Sequence, residues 1–260
     1  MGGERILGLK IDVDTRRGME EGVPVLLSAL ASASASATFF LSFGPDNSGK
    51  AVLQLLRNPR FLAKMVRTNA PGLYRWRTAL YGTLLPAPMI ARAFPGLCRE
   101  IEARGFDKGI AAYEGCLGHP PKAFGAPAWM LTERAVSVLE AYPWRYLSCT
   151  RASSPFLLAG TGRVELSSDL PCLEEAGGPR GVGKILDALS AGGIHVLPVH
   201  AEAEGGIWRN AFAEILRGAA ERGYRVVPLS GIADILRGRD LPERPFRMSL
   251  LPGRAVPCAV

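Results

Sequence analysis

Residues 6–13 (ILGLKIDV) form an apolar, β-branched run that closes on two acids, Asp12 and Asp14. Such a run reads as a β-strand with polar chemistry at its carboxyl end. Further strand-like runs recur at residues 37–43, 122–128, 145–148, 164–166, 194–200 and 225–229. Helix-like stretches lie between them, at residues 22–30, 50–68, 94–104, 132–142, 183–190 and 210–222. Strand alternating with helix predicts an α/β fold with a mainly parallel sheet. In α/β barrels the strand ends point their side chains into one shared mouth. Asp12, Asp14 and His200, which close two of these strands, are therefore expected at one site.

No linker separates two composition regimes and no internal repeat is present. Residues 1–238 read as one domain, and residues 239–260, rich in Pro and Arg, as an irregular tail. Apolar residues make up 48% of the 260 and charged residues 21%, which suits a globular chain and excludes disorder as its main state. Lys and Arg number 31 against 24 Asp and Glu, and the net charge of +7 favours anionic partners. The excess is scattered Arg, with no arginine-rich arm and no zinc-finger spacing, so nucleic acid is not expected. The segment NAPGLYRWR at residues 69–77, with Arg67 nearby, suits an anionic lipid-phosphate head group or a membrane face; a solvated surface segment is the plain alternative. Five widely spaced cysteines, Cys98, Cys116, Cys149, Cys172 and Cys258, contain no C-x-x-C pair and read as free thiols in a reducing compartment. With no leader pattern and no run near the ~20 apolar residues of a spanning helix, the expected location is cytoplasmic, peripheral at the inner membrane face.

Asp12 and Asp14 are spaced i, i+2, so on a strand both point to the same face. Two carboxylates on one face repel unless a cation or a proton is shared. That suits a metal ligand beside a general base; the alternative is two solvated acids at a strand end. Alternation places His200 on the face of Val196 and Pro198, suited to general acid work, with His195 on the opposite face as a structural residue. Glu202 and Glu204 continue the alternation and are placed to orient His200. His119, in GHPP, reads as a loop residue. Trp129, closing APAW, is read either as a wall of a sugar or acyl pocket or as a core residue. GPDNSGK at residues 44–50 lacks the spacing of a phosphate loop, and a nucleoside-triphosphate site is rejected.

LKIDVDT at residues 9–15, Gly18, EGVP at 21–24 and FFLSFGPDN at 39–47 together resemble the polysaccharide deacetylase (NodB-homology) superfamily. Within it the likeness is to the ArnD-type branch, which deformylates 4-deoxy-4-formamido-L-arabinose on undecaprenyl phosphate. NAPGLYRW at 69–76, GAPAW at 125–129 and VHAEAEG at 199–205 extend the match to about Leu229. The resemblance implies a distorted, incomplete β/α barrel and a divalent metal, Zn or similar. It implies Asp12 as general base, Asp14 as metal ligand and His200 as general acid, with Trp129, Arg151, Tyr74 and Glu202 as candidate substrate contacts. The implied activity is hydrolysis of an N-formyl or N-acetyl group on a lipid-linked amino sugar.

The branch completes its metal site with two histidines in an H-x-x-x-H-like motif on the third strand, and this chain lacks that motif. It passes from Gly105-Phe106 straight to DKGIAAYE at residues 107–114, which resembles the end of the following helix. One strand-helix unit is therefore expected to be missing. Cys149 stands where the branch has Asp, and Met130 where it has Arg. With Asp14 alone left of three ligands, weak Zn²⁺ binding is expected. The alternative function is a catalytically impaired member that binds the sugar-phosphate lipid without turnover.

Overall fold

The computed structural model describes residues 4–50, 78, 80–103, 107–109, 120–252, 254 and 256–260. In chain order its strands are β1 (Arg5–Val13), β2 (Thr38–Leu41), β3 (Asp107–Gly109), β4 (Ala123–Phe124), β5 (Tyr146–Leu147), β6 (Phe156–Leu158), β7 (Arg163–Glu165), β8 (Gly193–His200), β9 (Arg225–Val227), β10 (Glu243–Arg244), β11 (Met248–Ser249) and β12 (Cys258–Ala259). Its α-helices are α1 (Val23–Ser32), α2 (Pro95–Ala103), α3 (Glu133–Glu140), α4 (Leu173–Ala176), α5 (Val182–Ala188), α6 (Arg209–Glu221) and α7 (Leu229–Leu236). The fold is the expected α/β class.

The main sheet runs β10-β6-β7-β5-β4-β3-β2-β1-β8, parallel except where β6 meets β7. β1 is its backbone. β8 follows β1 along one edge, from Arg5 opposite Gly193 to Asp12 opposite His200. β9 pairs with Ile6–Gly8 and β2 with Lys10–Val13, so the two share the other edge.

Period-2 alternation divides β1 between two environments. Leu7, Leu9, Ile11 and Val13 join Leu26 and Leu30 of α1, Ile185 of α5 and Phe212 and Ile215 of α6 in the largest apolar core. The opposite face climbs from Ile6 through Gly8 and Lys10 to Asp12. At its foot Ile6 packs with Leu229, Ile232 and Leu236 of α7. A Cβ on Gly8 would stand 2.5 Å from Ile232 Cδ1 and 2.8 Å from Leu229 Cδ2, so the side chains of α7 pack directly over this glycine. The Leu229 backbone N–H donates to Thr38 Oγ1 at 2.8 Å, fixing the start of α7 to β2. Apolar packing thus fills the lower end of this face and leaves its upper end for polar residues.

Two expectations differ from the structure. Residues 107–109, read as the tail of a helix, form β3 in parallel register between β2 and β4, so the sheet is continuous where a strand was expected to be missing. The tail read as irregular contributes β10, which pairs with β6, and the antiparallel β11–β12 ribbon. The helix expected at residues 50–68 lies outside the described residues, apart from Lys50. Cys149, Cys172 and Cys258 are buried free thiols, and Cys98 is buried as well. Among the described residues no helix is long and apolar enough to cross a membrane.

Candidate functional site

Register sets the site. Asp12 and His200 are partners on adjacent parallel strands, which places their backbones about 4.8 Å apart. Both side chains line a cavity of about 730 Å³, together with Asp14, Ser42, Asn47, Trp129, Cys172, Glu174, Glu175 and Arg254. The cavity thus brings Asp12, Asp14 and His200 together, with Trp129 on its wall.

The loops that carry these groups are packed backbone to backbone. After β1 the chain makes a turn at Gly18–Gly22, opened by Thr15 Oγ1 accepting from Gly18 N–H at 2.9 Å. After β8 it makes a similar turn at Ala203–Ile207. A Cβ on Gly22 would lie 2.0 Å from the Ala201 carbonyl oxygen, and one on Gly205 would lie 2.4 Å from the Gly22 carbonyl oxygen. Only glycine permits this approach. Buried Asp46 ties in the loop after β2, its Oδ2 accepting from Arg16 N–H at 2.8 Å and its Oδ1 from Ser48 N–H at 3.0 Å.

Lys10, two residues before Asp12 on the same face, is 2% exposed and ion-pairs through Nζ with both carboxylate oxygens of Asp12. Its ammonium also lies 4.7 Å from the Phe40 ring centroid and 5.4 Å from that of Trp129. A lysine so enclosed needs its counter-charge. Asp14 opens to the cavity, and Ser42 Oγ donates to it at 3.4 Å. The surrounding protein raises its carboxyl above the usual range, and the neighbouring Asp12 charge adds to this.

His200 is held by acids. Its backbone N–H donates to Glu204 Oε2 at 2.9 Å. Burial works against its imidazolium, but Glu174, Cys172 and Glu204 outweigh it and raise the ring well above the usual histidine range. Burial pushes the Glu204 carboxyl up to about 7 and that of Glu202 to about 8. Glu202 does not line the cavity. It is buried behind it, against Gly18, with Oε2 unpartnered among the described residues.

Trp129 forms a wall of the cavity while 3% exposed. Its backbone and that of Ala128 are left-handed, φ 54° and 51°, which turns the indole inward from the rigid Pro127 bend. The guanidinium carbons of Arg151 and Arg254 stand 4.8 and 4.9 Å from the indole centroid. Both pair with Glu175, at 2.7 and 3.2 Å. Arg151 also donates to the carbonyls of Ser168 and Leu170, so it supports the Trp129 wall from outside the cavity lining. Tyr74 and His119 lie outside the described residues.

His195 is structural, as read: its Nδ1 is 2.6 Å from Asp169 Oδ2 and its Nε2 is 3.0 Å from the Gly192 carbonyl. Among the described residues, then, no second histidine shares the cavity with Asp14. The groups that act on it are Asp12, His200, Lys10 and Ser42, which do not fit the three-ligand site that the resemblance implies around it.

Sequence reasoning missed Lys10, Cys172, Glu174 and Arg254. Lys10 carried a signal, its i, i+2 spacing to Asp12. Nothing local marked the other three.

No family model matches this chain. It is 29% identical, over 88% of its own length and 86% of the relative's, to a Shewanella sediminis protein inferred to be a 4-deoxy-4-formamido-L-arabinose-phosphoundecaprenol deformylase, ArnD. Its fold is similar to that of a Mycobacterium smegmatis protein inferred to be a polysaccharide deacetylase, with a TM-score of 0.60 and 21% identity over 96% of each chain. It is also similar to a peptidoglycan N-acetylglucosamine deacetylase, with a TM-score of 0.51 and 13% identity over 88% of this chain and 87% of the other. The resemblance to the polysaccharide deacetylases, with ArnD-type deformylases among the relatives, is borne out.

Proposed function

From its resemblance to the ArnD-type polysaccharide deacetylases, we propose that this chain is a carbohydrate amide hydrolase that removes a formyl or acetyl group from an amino sugar carried on a lipid phosphate. The observation that carries the reading is the pairing of Asp12 with His200 across β1 and β8, at one cavity walled by Trp129.

The chemistry follows from the side chains. Asp12 takes a proton from the attacking water. Lys10 aims Asp12 by holding its carboxylate from below. His200, kept protonated by Glu174, Cys172 and Glu204, donates to the leaving amine. Trp129 stacks on the apolar face of the sugar and excludes water from that side. The divalent metal that the resemblance implies would supply carbonyl polarisation; the described residues around Asp14 do not make its site. The net charge of +7 supports an anionic membrane face as the surface from which a lipid-linked substrate is drawn, with the chain on the cytoplasmic side.

One observation favours a second reading, binding without turnover. Lys10 engages both oxygens of Asp12, which competes with water for the base.

Amine release from formylated and acetylated amino sugars, on lipid phosphate in acidic and neutral vesicles and in soluble form, tests these readings. Asp12→Asn and His200→Ala should each lower the rate roughly 100-fold or more, and acidic vesicles should give the faster reaction. Saturable sugar binding with no amine release selects the second reading. Equal rates in wild type and both variants overturn the assignment.

A further inference from the structure

The cavity that Asp14 lines also holds a group that the proposed hydrolysis uses only in part. Potential ligand atoms of Cys172, Glu174 and His200 all lie within 4.8 Å of one another, and all three residues line the same cavity. We propose that they form a three-ligand Zn²⁺ site whose fourth position opens into the cavity.

The donor set suits that ion. Thiolate, imidazole and carboxylate are each zinc ligands, and three protein ligands with one open position is the arrangement of zinc sites that work on a substrate. Tetrahedral zinc with bonds of about 2.0–2.3 Å sets its ligand atoms roughly 3.5 Å apart. Rotamer adjustments of about an ångström therefore close the set. A second observation points the same way. His200 Nδ1 is buried with no hydrogen-bond partner among the described residues. A buried ring nitrogen left unsatisfied is costly, and a metal is one way to satisfy it.

The supporting frame is already rigid. Cys172 is 2% exposed and Glu174 9%. The Cys172 backbone N–H donates to Glu175 Oε2 at 3.3 Å, and Glu175 is clamped by Arg151 and Arg254. That clamp fixes the short turn bearing Cys172 and Glu174. The bond from His200 N–H to Glu204 fixes the end of β8. Outer contacts of this kind hold metal ligands in place.

The inference goes beyond the proposed hydrolysis and is independent of it. A metal-bound His200 does not donate a proton, so the ligand and acid roles belong to different states of the site. Metal content and amine release are accordingly measured separately.

The experiment uses the full chain, loaded with Zn²⁺ or Co²⁺ and dialysed against metal-free buffer. One metal per chain is expected, and the cobalt form should show a thiolate-to-metal charge-transfer band. Cys172→Ser should abolish the band and weaken zinc binding at least tenfold. Glu174→Gln, close in volume, should weaken binding while the band persists at saturating cobalt. Asp14→Asn should leave metal content unchanged. The wild-type spectrum decides even if Cys172→Ser fails to fold: a cobalt form without the band overturns the proposal. So does a wild-type chain that retains no metal, or one that loses its metal in Asp14→Asn but keeps it in Cys172→Ser.

Discussion

At the scale of single residues, several buried acids oppose folding when they ionise. Glu165 shows it most clearly. Its Oε1 accepts from Cys149 N–H at 2.7 Å, Thr150 N–H at 2.8 Å and Thr150 Oγ1 at 3.0 Å, while Oε2 has no partner among the described residues. Burial outweighs those bonds and pushes its carboxyl up to about 7. An acid whose folded value is raised binds its proton more tightly folded than unfolded. The stabilisation is fully present below the usual carboxylate range near 4.5 and is lost as pH rises through about 7. Glu202 and Glu204 act in the same sense, as do His195 and His200, whose raised values keep their protons in the folded state. Thermal stability should therefore fall between pH 5.5 and 8.5. Glu165→Gln keeps the Oε1 acceptor and places an uncharged amide where Oε2 is orphaned. It should leave Tm near the wild-type value at pH 5.5 and raise it by a few degrees at pH 8.5, as followed by circular dichroism. A wild-type pH slope retained in full by the variant would show that Glu165 does not carry it.

Elements position these residues through close backbone contact, and the two glycine turns carry most of that burden. The turn after β1 and the turn after β8 touch at Gly22 and Gly205, which sets the loops of Asp14 and His200 against each other. Gly22→Ala puts a methyl 2.0 Å from the Ala201 carbonyl oxygen. Backbone, rather than a mobile side-chain end, must then move. Overpacking of this kind costs about 1–3 kcal/mol or more, and urea unfolding should show that loss as a lower midpoint with little change in slope. An unshifted midpoint would mean that the turns separate freely. β1 and β8 were legible in the sequence because each is a long apolar run closed by Asp12 or His200. β4, β5 and β7 fall within or against the short runs read at residues 122–128, 145–148 and 164–166, whereas β6 and β10 to β12 span two or three residues each, too short for any period to mark. Pairing with distant strands defines them, as β3 shows: residues 107–109 carry no strand pattern and are strand because β2 and β4 flank them. The same reason hid Cys172, Glu174 and Arg254, which reach the cavity only through contacts far along the chain.

For the molecule as a whole, the last twenty residues close the site that the first fourteen begin. β10 pairs with β6, Ala259 packs with Leu147, Phe156 and Leu158, and Cys258 is fully buried. Between them Arg254 enters the cavity, donating to the Ala128 carbonyl at 2.9 Å and to Glu175 at 3.2 Å while covering the Trp129 indole. The tail thus has two separable effects. One is stability, from apolar surface it covers at roughly 25 cal/mol per Å². The other is the shape of the cavity, because Arg254 holds Trp129 and the turn bearing Cys172 and Glu174. Deleting residues 245–260 removes both and should lower Tm by several degrees and weaken binding of an amino-sugar ligand at least tenfold. Arg254→Ala removes only the second. Arg151 still pairs with Glu175 in that variant, so its Tm should stay within about two degrees of wild type while ligand binding weakens as in the deletion. Calorimetric titration beside a thermal melt reads the two effects separately. If Arg254→Ala binds ligand as wild type does, the tail stabilises the fold without shaping the site, and the Arg254 clamp has no part in recognition.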